Sequence, residues 1–134
     1  KRPPFQEGVR YLPEVNTIVL FVTLDKSDKS FSPTTQYEDY AISESLFHWQ
    51  SQTRTAVESE TGQRYIKHRA TGTHVLLFVR EATRKYGMTS PFTFLGKVHY
   101  VSHQGSKPMD VIWKLEIPMP KAIFRRCNKV LDVG

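Results

Sequence analysis

The apolar positions of this chain fall into short runs with the period of strands. Ile18-Val19-Leu20-Phe21-Val22-Thr23-Leu24 is a continuous β-branched and aromatic run, suited to a strand buried on both faces and too short for a helix. His74 to Glu81, centred on Val75-Leu76-Leu77-Phe78-Val79, is a second run of this kind. Phe92 to Val101 has strand composition, with Gly96 in its middle predicting a bulge or sharp bend. Val111, Trp113, Leu115 and Ile117 alternate with Asp110, Ile112, Lys114 and Glu116, the pattern of a half-buried strand. The turn from Ser102 to Pro108 joins it to the preceding strand as a hairpin.

The segments between these runs carry turn chemistry. Lys1 to Glu14 contains Pro3, Pro4 and Pro13 and is expected to lie extended over the domain. Asp25 to Ser30 is a polar loop, prolonged by a turn at Ser32-Pro33. Glu58 to Lys67 has room for a short helix that Gly62 is expected to break, and Ala70 to Thr73 reads as a turn. Arg84-Lys85-Tyr86-Gly87 reads as a basic loop. Pro118 and Pro120 end the last strand, and Pro120 suits the first turn of a closing helix in which Ile123, Phe124, Cys127, Val130 and Leu131 keep helical spacing. About five or six strands with few helices predict a mainly β (α+β) fold. The expected architecture is a small β-barrel or pseudo-barrel, the PUA-like type among the candidates, with a short C-terminal helix; closure removes exposed sheet edges.

One stretch fits neither core nor ordinary surface. Tyr37 to Gln52 packs four aromatic rings, one imidazole and two carboxamides into sixteen positions. Read as a strand, Leu46 to Gln52 places Phe47, Trp49 and Ser51 on one face and Leu46, His48, Gln50 and Gln52 on the other. The first face suits burial. The second is a row of hydrogen-bonding groups that a core does not need. Tyr37 to Ile42 reads as a helical turn or irregular passage, with Ser43 or Ser45 marking the switch into the strand.

Composition narrows the class. The 134 residues suffice for one domain, and 39% apolar with 12% aromatic residues can supply a core. The net charge of +6 is uneven: residues 1–66 hold seven Lys/Arg against nine Asp/Glu, and residues 67–134 hold twelve against four. A basic half of that size suits a polyanionic partner. Cys127 is the sole cysteine, which excludes an internal disulfide or thiolate metal cluster and favours a reducing, cytoplasmic setting. No apolar stretch is long enough to span a bilayer, so no membrane role is expected. The Lys1-Arg2-Pro3-Pro4 start suggests a single domain, 1–134, excised from a larger protein.

Catalytic signals are weak. His99 and His103 have a zinc-like spacing, but on a strand and turn they do not converge, and no second ligand motif accompanies them. Glu38 and Asp39 are adjacent and point apart on an extended chain, and no phosphate loop or nucleophile elbow is present. The expectation is a non-enzyme without metal or cofactor. Binding of nucleic acid needs cations for phosphates, amide or imidazole groups for base edges, and rings for stacking. Gln50, Gln52 and His48 supply the second set; Tyr37, Tyr40, Trp49 and Tyr65 supply the third, although Trp49 alternates with the polar row and so also fits the core. Arg54, Arg64, Lys67, Arg69, Arg84, Lys85 and Lys107 are candidates for the backbone, with Ser106 beside Lys107 in a turn suited to phosphate and His103 flanking it.

The run Phe31-Ser32-Pro33-Thr34-Thr35-Gln36-Tyr37-Glu38-Asp39-Tyr40-Ala41-Ile42-Ser43, followed by Leu46-Phe47-His48-Trp49-Gln50-Ser51-Gln52, resembles an uncharacterised bacterial domain. That domain is found at the C-terminus of DEAD/DEAH-type helicases that often carry a phospholipase-D-like nuclease segment. Thr61-Gly62-Gln63-Arg64-Tyr65-Ile66, Leu76-Leu77-Phe78-Val79-Arg80-Glu81, Phe94-Leu95-Gly96, Tyr100-Val101-Ser102-His103, Trp113-Lys114-Leu115 and Pro118-Met119-Pro120 extend the resemblance over about residues 8–130. It implies DNA metabolism or defence against foreign DNA, with helicase and nuclease domains of the same polypeptide as partners. The expected function is a non-catalytic DNA-binding module, a reader of modified DNA (base or backbone), with Tyr37, Tyr40, His48, Trp49, Gln50, Gln52 and Arg64 forming or flanking the pocket. The alternatives are a protein-interaction domain docking on its own helicase core, marked by an exposed apolar patch, and a nuclease using His48 with Glu38 or Asp39.

Overall fold

A computed structural model describes residues 8–25, 39–82, 84–85 and 87–128. The chain order is β1 (Val9–Leu12), a 3-10 turn (Pro13–Val15), β2 (Thr17–Asp25), β3 (Tyr40–Ala41), β4 (Leu46–Gln50), α1 (Glu60–Ile66), β5 (His74–Ala82), β6 (Arg84–Lys85), β7 (Met88–Thr89), β8 (Thr93–Gln104), β9 (Asp110–Leu115) and α2 (Lys121–Cys127). Seven strands form one sheet in the order β1-β2-β5-β8-β9-β4-β3. The β2–β5 pair is parallel and every other pair in the sheet is antiparallel. The mainly β fold with a C-terminal helix agrees with the sequence pattern. Closure does not follow: β1 and β3 are the two ends of an open mixed sheet.

The register explains which residues are buried. Ile18, Leu20 and Val22 pair with Val75, Leu77 and Val79, and all six are at most 3% exposed. The same face continues through Val98 and Leu115, then through Val111 with Trp49 and Trp113 with Phe47. Both helices pack on this face. Tyr65 of α1 meets Trp49 edge-on at 5.2 Å and Trp113 at 6.3 Å, while Cys127 of α2 is buried in the same core. Burying rings of this size supplies a large share of a small core's stabilisation. Among the described residues the Tyr65 hydroxyl and the Trp113 Nε1 have no hydrogen-bond partner, and burial pushes the Tyr65 pKa well above the ordinary phenol value.

Three local expectations are corrected. Gly62 does not break α1. The Ser59 hydroxyl caps the helix by accepting from the Gly62 N–H at 3.0 Å, and a Cβ at Gly62 would run into the Ala56 carbonyl oxygen. Glycine there permits close approach. Arg84 and Lys85 form a two-stranded ladder with Met88 and Thr89, where a loop is expected. Tyr40 and Ala41 form an edge strand, where a helical turn or irregular passage is expected. In the closing helix Pro120 is the N-cap and Cys127 the last residue; the expected Val130 and Leu131 lie outside the described residues. The bend at Gly96 is present as a register shift in the β5–β8 ladder, with Gly96 at φ 97°.

His68, just beyond α1, is 2% exposed and joins three elements. β5 pairs with β8 only as far as Lys97. Three residues on, the Tyr100 N–H donates instead to His68 Nε2 at 3.0 Å, while His68 Nδ1 lies 3.0 Å from the Thr73 carbonyl. A carbonyl only accepts, so Nδ1 carries the proton and the ring is neutral. Burial lowers the His68 pKa from the usual 6.5. The unfolded chain then takes up a proton that the folded one refuses, so stability falls as pH drops below the unfolded value. Urea denaturation between pH 8 and pH 5 should show wild type losing stability below about pH 6.5. His68→Gln should be less stable at pH 8 and lose less on acidification. Parallel profiles for the two proteins would remove His68 as the cause.

Candidate nucleic-acid interface

The strand alternation expected for β4 is observed. Phe47, Trp49 and Ser51 are buried, whereas Leu46, His48, Gln50 and Gln52 are half-exposed. Because paired residues share a face, Tyr40 of β3 comes beside His48, and Asp110 and Ile112 of β9 come beside Gln50 and His48. Tyr40 and His48 stack with centroids 4.7 Å apart and planes 12° from parallel. Gln50 Nε2 donates to Asp110 Oδ1 at 3.1 Å, and His48 Nε2 lies 3.5 Å from the same oxygen. The Asp110 carboxylate only accepts, so it fixes the Gln50 amide with Nε2 inward and Oε1 directed away from it. The backbone beneath is held from the edge. Asp39, 5% exposed, accepts the Gln50 N–H through Oδ1 at 2.9 Å, and Ser43 Oγ accepts the Leu46 N–H at 3.2 Å in the turn before β4.

Past Gln50 the chain is clamped to the β8–β9 turn. The Ser51 N–H donates to the Met109 carbonyl and Ser51 Oγ accepts from the Met109 N–H, both at 2.8 Å. The Lys107 N–H donates to the Thr55 carbonyl at 2.9 Å, and Ser106 Oγ accepts the Val57 N–H at 2.9 Å. Gly105 takes φ 75° in this turn, the left-handed region that favours glycine. Arg54 and Lys107, both exposed, therefore belong to one loop cluster at the end of the polar row.

This arrangement gathers Tyr40, His48, Gln50, Gln52, Arg54 and Lys107. It does not gather the rest. Trp49 and Tyr65 are 3% and 1% exposed and belong to the core. Arg64, Lys67 and Arg69 sit on or just after α1, which packs against the opposite face of the sheet; Arg64 pairs with Glu60 and lies 4.1 Å over the Tyr11 ring. Arg84 and Lys85 are in the separate β6–β7 ladder. His103 Nδ1 shares a 2.7 Å hydrogen bond with the Tyr100 hydroxyl, and Ser106 is committed to Val57. The zinc-like pair diverges, since His99 bonds Glu116 at 2.8 Å. Asp39 serves the β4 backbone as an acceptor, while Tyr37 and Glu38 lie outside the described residues. Among the described residues, no group of three His, Cys, Asp or Glu is placed to hold a metal ion, and no helix is long and apolar enough to cross a membrane. Sequence reasoning missed Asp110, whose signal was its place in the polar phase of β9.

A family model described as a domain of unknown function (DUF3427) matches residues 5–127. The chain belongs to the DUF3427 family. No curated protein matches it. The match spans both the clamp and the polar row, so the geometry just described lies within the DUF3427 unit.

The Asp39 clamp predicts a mutational outcome. Asp39→Ala leaves the Gln50 N–H without its acceptor and should cost about 1–3 kcal/mol in urea denaturation. Asp39→Asn, which keeps an acceptor oxygen, should cost less. Equal losses would show that Asp39 acts through its charge.

Proposed function

We propose that this DUF3427 domain is a non-catalytic DNA-binding module, a reader of modified DNA that targets attached helicase and nuclease domains of a longer bacterial polypeptide. The observation that carries the reading is the stacked Tyr40–His48 pair beside Gln50 on a face that the core does not occupy. Flat rings accept a base by stacking, and the outward Gln50 Oε1, with His48 and Gln52, offers hydrogen-bonding groups to a base edge. The Asp110 carboxylate repels phosphate from the middle of the row. The backbone is therefore assigned to Arg54 and Lys107 at its end. Attachment to helicase and nuclease modules rests on the sequence resemblance, and a base presented to such a row must first leave the duplex stack.

Binding measured across unmodified and modified duplexes and single strands, over a salt series, tests this. The logarithm of affinity should fall with the logarithm of salt by roughly one unit per phosphate neutralised. Arg54→Ala and Lys107→Ala should each reduce that slope by about one. Gln50→Ala should lose discrimination among DNAs more than overall affinity. Absence of binding to every DNA, or binding indifferent to salt, overturns the reading.

A second reading, docking on the protein's own helicase core, is favoured by one feature of the same open face. Phe78 stacks on Phe21 at 5.2 Å and meets Phe94 at 4.8 Å, and Phe94 is 55% exposed. An exposed aromatic group of this kind suits a protein partner. Under this reading Phe94→Ser abolishes docking to the helicase core and leaves DNA affinity unchanged.

A further inference from the structure

The polar row of β4 has two ends, and Arg54 and Lys107 stand at one of them. At the other end β9 brings Lys114 onto the same face. Leu46 pairs with Lys114 as His48 pairs with Ile112 and Gln50 with Asp110, and paired residues of a ladder share a face. On its far side Lys114 pairs with His99 of β8. Leu46, Ile112 and His99 are half-buried, whereas Lys114 is exposed. Half-buried apolar neighbours suit the aliphatic stem of a lysine and leave its ammonium in solvent. Among the described residues no carboxylate, that of Glu44 in the turn before β4 included, forms an ion pair with Lys114. Asp110 lies four positions back along β9, about 13 Å at the rise of a strand, which exceeds a Debye length of about 10 Å at 0.1 M salt. Glu116, the next residue of the same phase, is bonded at 2.8 Å by Nε2 of His99. That bond, with the nearby charge of Lys97, holds its carboxyl below the usual carboxylate range. Glu116 is thus committed toward β8, and the Lys114 ammonium is left for another anion.

We propose that Lys114 is a second phosphate contact of the DNA site, so that the strand carrying the base read by His48 and Gln50 is gripped at both ends of the row. This contact rests on the DNA-binding reading and gives the bound strand a direction: its backbone runs along β9, from the β8–β9 turn toward Lys114. Phosphates flank a base of a continuous strand on both sides, so a face that reads a base from its middle holds the strand most firmly with cations at both margins. Asp110 keeps phosphate off the middle. From Asp110 to Lys114 is about 13 Å, whereas stacked DNA advances about 3.4 Å per phosphate, so the two cation points hold phosphates about four or more apart. A nucleoside monophosphate reaches one point and not the other. Lys97 is the contrasting case. It is exposed on the same face, but it pairs with Leu76 of β5 and stands by Glu116, away from the row.

A salt series for Lys114→Ala, Lys114→Arg and Lys97→Ala, on the duplex or single strand that wild type binds most tightly among unmodified and modified DNAs, tests the assignment. Lys114→Ala should lower the logarithmic salt slope by about one, so that raising salt from about 50 to about 200 mM weakens it about threefold less than wild type. Lys114→Arg, which keeps the charge, and Lys97→Ala should both keep the wild-type slope. Lys114 is exposed, so the alanine variant should unfold in urea as wild type does. A wild-type slope in Lys114→Ala, where Arg54→Ala and Lys107→Ala lower theirs, overturns the Lys114 contact and leaves the DNA-binding reading standing. Equal lowering by Lys97→Ala and Lys114→Ala also overturns it, since the face then acts as diffuse charge. Absence of DNA binding by wild type overturns both.

Discussion

Trp49, Trp113 and Tyr65 meet in one aromatic knot, and the placement of the candidate site follows from burying it. The two tryptophans sit on adjacent strands and the tyrosine on the helix that covers them. Side chains on a strand alternate, so seating Trp49 in the core forces His48 and Gln50 outward. A slip of one residue would bury the polar row and expose the rings, which makes this register strongly specified. His68, held between the Thr73 carbonyl and the Tyr100 N–H, closes the same knot from the side and contacts Trp113 at 5.7 Å. The interior and the open face of β4 are therefore one constraint seen from two sides.

That constraint also sorts the charges. The basic character of the chain does not form one wall. Arg64, Lys67 and Arg69 ride with α1 beneath the core face, whereas Arg54 and Lys107 stand at the end of the polar row because the β8–β9 turn is bonded to Thr55 and Val57. Beside the row the charge is mixed, with Asp110 next to Gln50 and Lys114 paired with Leu46. On the proposed reading, stacking and hydrogen-bonding groups lie along the middle of one face and cations at its margin, as a reader of an exposed base needs.

Strand phase was legible wherever one residue in two was apolar or a run was wholly apolar. The Ile18–Leu24 run, the Leu46–Gln52 alternation and the Asp110–Leu115 alternation all carry their burial in sequence. Closure was not legible, because whether β1 meets β3 depends on strand order, which no local pattern encodes. Gly62 misled because low helix propensity is a weak term beside the contact with Ala56 that only glycine permits. The aromatic inventory could not tell Tyr40 from Tyr65; one lies on an edge strand and the other under a sheet, and that difference is tertiary. Asp110 escaped notice for the same reason. It joins Gln50 across a ladder from sixty positions away.

The central claim is that the outward row of β4, and not the aromatic group around Phe94, is the surface that engages DNA. Amide and side-chain NMR of the labelled domain, titrated with a DNA that it binds, tests this directly. The account predicts shifts at the Gln50 side-chain amide and at Tyr40, His48, Arg54 and Lys107, with Phe78 and Phe94 unmoved. Shifts confined to the Phe78–Phe94 face, with the Gln50 amide unchanged, would contradict it.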